Sequence, residues 1–249
     1  MLDNTKIVLL SGKGDRFKKK GYSLPKGLLK IKGLELALHA SKSIPDCETT
    51  IFAIQDNVNK KYNFEKILQK KFFTNFKIFI FKKYTNGQAT SCYEVIKHNK
   101  EIKGGFFILS CDCSFSVPYR EVEKLLDKNP DAIVFTYKAT DFNYQNEKIY
   151  GWIRDNDENM VTHVSCKKRI EPHKIEDSII IGTFYFVNKS TFKKYYKKLV
   201  LNKNFIYGET YIDIIIQLMV SDGLKVFNFK VDNFKDFGTP DQYEAQMHK

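Results

Sequence analysis

Arginine is nearly missing from this chain. Only Arg16, Arg120, Arg154 and Arg169 stand among 41 basic residues, and the rest are lysine. The shortage matters because basic residues exceed the 29 acidic ones by enough to give a formal net charge of +12 over 249 residues. Such a balance alone points to nucleic acid or an anionic membrane. Bidentate recognition of phosphate and of guanine edges, however, favours arginine over lysine. The lysine excess also runs together with abundant Asn, Ile, Phe and Tyr, as a drift of the whole composition does. A non-catalytic, basic nucleic-acid-binding protein is therefore the least favoured reading, and neither nucleic acid nor a membrane is expected as a partner.

Cysteine is scarce and unpatterned. There are five, with no C-x-x-C, and Cys111 and Cys113 sit too close for a routine zinc or disulfide clip. This excludes a disulfide scaffold and fits free thiols in a reducing cytosol. Long apolar runs are lacking too. Stretches such as IIIGTFYFV (179–187) fall far short of the ~20 residues that cross a bilayer. The N-terminus enters the strand-like KIVLLS without the apolar core of a signal peptide, so a cytoplasmic location is expected. The histidines show no metal-ligand spacing, and no G-x-x-x-x-G-K-[ST] occurs, which excludes a P-loop. With no linker, repeat or low-complexity segment, and 43% apolar residues, a single domain over 1–249 is expected.

Apolar runs alternate with helix-like segments for most of the length. Strands are expected at 6–11, 50–54, 76–81, 105–111 and 131–137. Helices are expected within 28–44 (on Leu34, Ala37 and Leu38) and over 58–71, 89–99 and 119–127, the last started by Pro118. This rhythm predicts an α/β fold, a mostly parallel sheet flanked by helices, with ligands at the strands' C-terminal edge. The rhythm changes after residue 140. Strand-like runs at 149–155, 160–166 and 178–187 suggest a small antiparallel insertion over 140–188. Helices return near 190–199 and 209–221, then a strand at 224–231, and a Gly-Thr-Pro turn leads into a closing helix.

Chemistry-bearing residues concentrate where strands end. The first strand runs into Ser11-Gly12-Lys13-Gly14-Asp15-Arg16-Phe17, where glycines allow phosphates close to the backbone. Phe17 holds the third-glycine position of the dinucleotide fingerprint, which excludes that motif. Ten residues after Arg16 comes Lys26, within LPKGLLKIKG. Leu109-Ser110-Cys111-Asp112 ends a later strand. Gly208-Glu209-Thr210-Tyr211-Ile212-Asp213 and Asp236-Phe237-Gly238-Thr239-Pro240 follow near the C-terminus.

In that order and spacing these segments resemble the nucleotidyltransferases that activate sugar phosphates and other small phosphates. The resemblance implies a Rossmann-like fold of the nucleotide-diphospho-sugar transferase type and an Mg²⁺-dependent enzyme. It would move a nucleoside monophosphate from an NTP to a phosphorylated acceptor and release pyrophosphate. Carried over residue by residue, it assigns Arg16 and Lys26 to the phosphates as catalytic groups. Ser11, Gly12, Lys13, Gly14, Gln88, Ala89 and Cys111 fall to the nucleotide, and Asp112 and Asp236 to the metal. Lys167, with Lys168 as the register alternative, falls to the acceptor phosphate, and Tyr150, Gly151, Glu209 and Asp213 to the acceptor pocket. Glu209 also reads as an ordinary charge at a helix N-terminus.

The residue types suit the chemistry. An acceptor phosphate, with a second pKa of about 6, is largely ionised at neutral pH and needs no general base. The other requirements are alignment and charge neutralisation. No acidic residue accompanies Lys167, which departs from the hexose-1-phosphate pattern and resembles the cytidylyltransferase branch. CTP and an amino-acid-like acceptor such as phosphoglutamine, in capsule precursor synthesis, are the expectation; Arg154, Arg169, Glu209 and Asp213 are candidates to meet its ammonium and carboxylate. A sugar-1-phosphate uridylyl-, thymidylyl- or guanylyltransferase is the alternative. A homodimer is a further expectation.

Overall fold

A computed structural model describes residues 2–72, 74–171 and 177–247. The strands are β1 (Leu2–Leu10), β2 (Lys30–Ile31), β3 (Leu34–Glu35), β4 (Cys47–Gln55), β5 (Phe76–Phe81), β6 (Phe106–Ser110), β7 (Cys113–Ser116), β8 (Ala132–Lys138), β9 (Gly151–Asp155), β10 (Val161–Cys166), β11 (Ser178–Phe186), β12 (Val226–Lys230) and β13 (Asp232–Asp236). The helices are α1 (Asp15–Lys19), α2 (Leu36–Ser41), α3 (Asp56–Tyr62), α4 (Phe64–Lys71), α5 (Gln88–His98), α6 (Tyr119–Leu126), α7 (Asp141–Gln145), α8 (Lys189–Leu201), α9 (Ile212–Ser221) and α10 (Pro240–Met247).

The expected mixed, mostly parallel α/β sheet is what forms. β1 pairs in parallel with β4 and β6, β4 with β5, and β8 with β12. β11 runs against them, between β6 and β8. The apolar runs read as continuous in sequence because both faces of the sheet are covered. Alternation then sorts them. Val8, Leu10, Phe52, Phe107 and Phe135 pack on one face with Leu38, Phe64, Leu68 and Val122 of the helices. Ile7, Leu9, Ile51, Phe106 and Val134 pack on the other with Val95, Phe192 and Ile215. Each buried aromatic of this kind contributes roughly 1.5–3 kcal/mol through burial.

The strands expected after residue 140 are antiparallel, and they extend the main sheet. The first residues of β11 pair with β9, which pairs with β10. Gly182, at φ +75° against Ser110, marks where β11 passes from β9 to β6. Two helix expectations change. The stretch after Leu28 first makes the β2–β3 hairpin, since Lys32 and Gly33 at φ 50° and 78° form a tight turn of the kind that suits hairpins; Leu34 is therefore in a strand, and α2 is short. The helix expected at 58–71 breaks at Asn63, whose φ of 52° is left-handed and tolerated by Asn.

Candidate active site

The C-terminal ends of β1, β4 and β6 open on one edge, and there the chain folds a cleft of about 700 Å³. Such an edge is where open α/β sheets bind ligands. Of the residues assigned to nucleotide, metal and acceptor, all line this cleft except Ala89 and the register alternative Lys168, and neither Arg154 nor Arg169 reaches it. Ala89 is turned away. Its methyl group is fully buried and its N–H donates to the Thr210 carbonyl at 3.1 Å, so it faces inward to the Thr210 loop.

The first wall is the loop after β1. Gly12 and Gly14 stand in open space, Gly14 at φ +66° before α1. Lys13 and Arg16 are exposed, and neither makes an ion pair among the described residues. Ser11 anchors the loop instead. Its hydroxyl meets that of Ser91 at 3.0 Å, and its carbonyl accepts from Gln55 Nε2 at 3.3 Å. Gly87, at φ +115°, leaves no room for a Cβ against the Thr210 backbone, and Thr210 N–H donates to Asn86 O at 2.7 Å. Gln88 is thereby held at the cleft where α5 begins.

The floor is a pair of carboxylates. The register of β13 on β7 sets Asp236 opposite Cys113, and Phe237 N–H donates to Asp112 O at 2.8 Å. A Cβ placed on Gly238 would lie 2.9 Å from Asp236 Oδ1 and 3.5 Å from Asp112 Oδ2, so both acids converge over this glycine. Lys26 Nζ donates to Asp112 Oδ2 at 2.5 Å, and Ser110 Oγ donates to Oδ1. Burial alone would push Asp112 up, but the Lys26 charge and these two hydrogen bonds hold it below the usual carboxylate range. Asp236 goes the other way, pushed up by burial and by the neighbouring Asp112 charge. Cys111 lies beneath Gly27, its thiol pushed by burial to about 12, and is neutral.

These residues fit a divalent cation bound through substrate. Two converging carboxylates, with one kept charged and the other strained by it, are a hard-oxygen pair of the kind Mg²⁺ uses alongside phosphate oxygens. Among the described residues no cluster of three or more His, Cys, Asp or Glu occurs, so nothing there resembles an all-protein cage.

The second wall comes from β9, β10 and the turn before α9. Lys167, at φ +62°, turns its Nζ to Ile149 O at 2.7 Å and lies 5.1 Å from the Tyr211 ring centre. Tyr211 OH donates to Glu209 at 2.7 Å. Glu209 sits in a turn ahead of α9, so the helix-terminus reading of its charge does not hold. Asp213 is buried, hydrogen-bonded with Cys166 and facing Lys167, and burial pushes its carboxyl up. Gly151 has to be glycine, since a Cβ would overlap the Asp213 carboxylate. Two residues expected to help here do not. Arg154 is committed to Asp177 at 2.6 and 2.8 Å and to Glu171 at 3.0 Å, and Arg169 stacks on Tyr144 at 4.6 Å; neither lines the cleft.

Gln242 is the functional-looking residue that the sequence reading missed. Its Nε2 donates to Asp236 Oδ2 at 2.7 Å and to Tyr150 OH at 2.9 Å. The available signal was Thr239-Pro240-Asp241-Gln242, a capping-box spacing with proline at the first helical position.

Residues 5–249 match the Nucleotidyl transferase family, so the chain belongs to that family. It is a nucleotidyltransferase. Among solved structures, a nucleoside-diphosphate-sugar pyrophosphorylase from Vibrio cholerae RC9 superposes with a TM-score of 0.77 at 18% identity, covering 98% of this chain and 100% of the other. The inositol-1-phosphate CTP transferase from T. maritima gives 0.73 at 20% identity, covering 100% and 96%. HddC from Yersinia pseudotuberculosis gives 0.68 at 15%, covering 98% of each. At these identities the likeness is one of fold. No curated protein matches the sequence significantly. No helix among the described residues is long and apolar enough to cross a membrane.

Proposed function

We propose that this enzyme transfers CMP from CTP to the phosphate of a small acceptor of the phosphoglutamine type, for capsule or other surface-glycan precursors. The observation that carries the transfer chemistry is the convergence of the Ser11–Arg16 loop, Lys26, the Asp112–Asp236 pair and Lys167 on one cleft. The choice of cytidine leans on the sequence resemblance and on a fold shared with an inositol-1-phosphate CTP transferase.

In this reading the triphosphate lies along the Ser11–Gly14 loop, where backbone N–H groups and the Lys13 and Arg16 side chains are open to take phosphate oxygens. Lys26 is held at the floor by Asp112 and meets charge building toward the pyrophosphate leaving group. The Gln88 end of α5 faces the base. Lys167 gives up its bond to Ile149 O and takes the acceptor phosphate, aligning an oxygen with the α-phosphorus. That oxygen is already ionised, so proton abstraction is not required. When bound, Mg²⁺ would be held by Asp112 and Asp236 and would neutralise phosphate charge. With Arg154 and Arg169 engaged elsewhere, Asp213 and Glu209 are the charges left for the rest of the acceptor, which favours an ammonium or hydroxyls there.

A pyrophosphate-release assay with CTP, UTP, GTP, ATP and dTTP, each against phosphoglutamine, inositol-1-phosphate and hexose-1-phosphates, tests this. CTP with phosphoglutamine is expected to be the fastest pair. Turnover only with another base and a hexose-1-phosphate would overturn the cytidylyl reading and keep the transfer chemistry. Salt-sensitive RNA binding with no turnover would overturn both.

A further inference from the structure

Asp236 is a half-buried carboxyl set beside the Asp112 carboxylate, so something has to fix which way its oxygens point. Three donors do so. Gly238 N–H reaches Oδ1 at 2.8 Å, while Tyr150 OH and Gln242 Nε2 reach Oδ2 at 3.0 and 2.7 Å. Gln242 is the hub of this set, because the same Nε2 also donates to Tyr150 OH at 2.9 Å. Its own amide cannot turn over without cost. Thr239 Oγ1 donates to Gln242 Oε1 at 2.8 Å, so a flipped amide would present N–H₂ to that hydroxyl and a carbonyl oxygen to a carboxylate.

The helix carrying Gln242 is itself clamped to the segment that carries the phosphate loop. Tyr22 OH donates to Glu244 at 2.7 Å, Lys20 pairs with Asp241 at 3.1 Å, and Tyr243 packs edge-on with Phe17 and Tyr22 at 6.1 and 5.9 Å. α10 thus touches both the nucleotide wall and the carboxylate floor.

We infer that Gln242 is the positioning residue for Asp236: it aims the second carboxylate of the pair at the point shared with Asp112, and so sets how tightly a divalent cation is held. The inference rests on the reading of Asp112 and Asp236 as a cation pair. Residues that orient a metal-binding group typically alter affinity by roughly 10–100-fold when removed. Tyr150 and Gly238 still hold Asp236 in a Gln242 variant, so the lower end is expected.

The test is Mn²⁺ binding to the full-length protein, followed by electron paramagnetic resonance in the presence of CTP. It is paired with the Mg²⁺ dependence of pyrophosphate release and with thermal melting. Gln242→Met keeps length and removes both donors; Gln242→Ala is read alongside it should the first fold poorly. Glu244→Gln loosens α10 without touching Asp236. The Gln242 variants are expected to bind Mn²⁺ roughly tenfold more weakly and to need correspondingly more Mg²⁺, with turnover largely restored at high Mg²⁺. Glu244→Gln is expected to lower only the melting temperature. Wild-type Mn²⁺ affinity in the Gln242 variants, or equal weakening in Glu244→Gln, overturns the inference. A wild type that releases pyrophosphate without binding Mn²⁺ overturns this inference alone. One that binds Mn²⁺ but turns over no NTP overturns the transfer reading alone.

Discussion

The two walls of the cleft are built on opposite principles. On the side proposed for the nucleotide, Lys13 and Arg16 have no ion-pair partner among the described residues, and a Cβ added at Gly12 or Gly14 would meet only open space. On the side proposed for the acceptor nearly every polar group is already spoken for: Lys167 by Ile149 O, Tyr211 by Glu209, Asp213 by Cys166. An open cationic loop gains contacts when a polyanion arrives and orders with it. A pre-bonded wall must exchange one partner for another, so it discriminates by geometry. The carboxylate floor joins the two, and breaking it should erase the distinction.

That gives the largest expected effect. Asp112→Asn keeps the shape but removes the charge that pairs with Lys26 at 2.5 Å. Turnover should fall on the order of a thousandfold, the size seen when preorganised transition-state electrostatics are lost, with the circular dichroism spectrum of the wild type retained. Comparable activity would mean that the floor does not take part in the chemistry.

Lys167→Asn tests the acceptor wall alone. Asn accepts the left-handed backbone found there, at φ +62°. The acceptor KM should rise roughly tenfold, about 1.4 kcal/mol and the scale of one charge-assisted hydrogen bond, while the NTP KM stays put. Lys168→Asn should do much less. Equal effects of both, or a change confined to the NTP, would dissolve the separation of the walls.

Asp213 carries a pH signature. Its carboxyl is raised in the folded chain by burial, with Lys167 only partly compensating. The native state therefore holds the proton more tightly than the unfolded state. Stability falls as pH rises from the ordinary carboxylate value to the raised one, and stays lowered above it. Asp213→Asn removes that penalty. It should melt a few degrees higher than wild type at pH 7, the size of shift that ~1 kcal/mol gives in a chain this long, and show no advantage near pH 3. A variant destabilised at both pH values would mean that the Asp213 charge supports the wall structurally.

The nucleotide wall was far more legible in the sequence than the acceptor wall. Strand ends at Leu10 and Ser110 follow from apolar runs, and Gly12, Arg16, Lys26 and Asp112 sit at fixed short distances from them, so one-dimensional order carries their placement. Asp236 was legible through Gly238-Thr239-Pro240. The acceptor side depends on which strand lies beside which. That Arg154 turns to Asp177 rather than the cleft follows from the β9–β11 register, a long-range pairing that no local pattern encodes. Gln242 was hidden for another reason: its spacing from Thr239 announces a helix start, and nothing local says that its amide reaches a carboxylate. Ala89 looked like part of a ligand loop, but Gly87 brings the Thr210 backbone against it.

The smallest expected effect sharpens the contrast at its rim. Ile206 and Glu209 exchange backbone hydrogen bonds at 3.1 and 3.0 Å around Tyr207 and Gly208, both at positive φ, 52° and 77°. Such a two-residue turn favours Asn-Gly; an aromatic at its first position is held in a region costing about 1–2 kcal/mol. The Tyr207 ring offers no packing in return, being 77% exposed at the mouth of the cleft. Tyr207→Asn should therefore stabilise the free enzyme, by up to about 1 kcal/mol, read as a rise in melting temperature. Strain kept at a binding site is characteristic of residues held for ligand contact, so the same variant should raise the acceptor KM, and Tyr207→Phe should not. A variant that melts higher and binds both substrates as before would show that the acceptor wall ends below this turn.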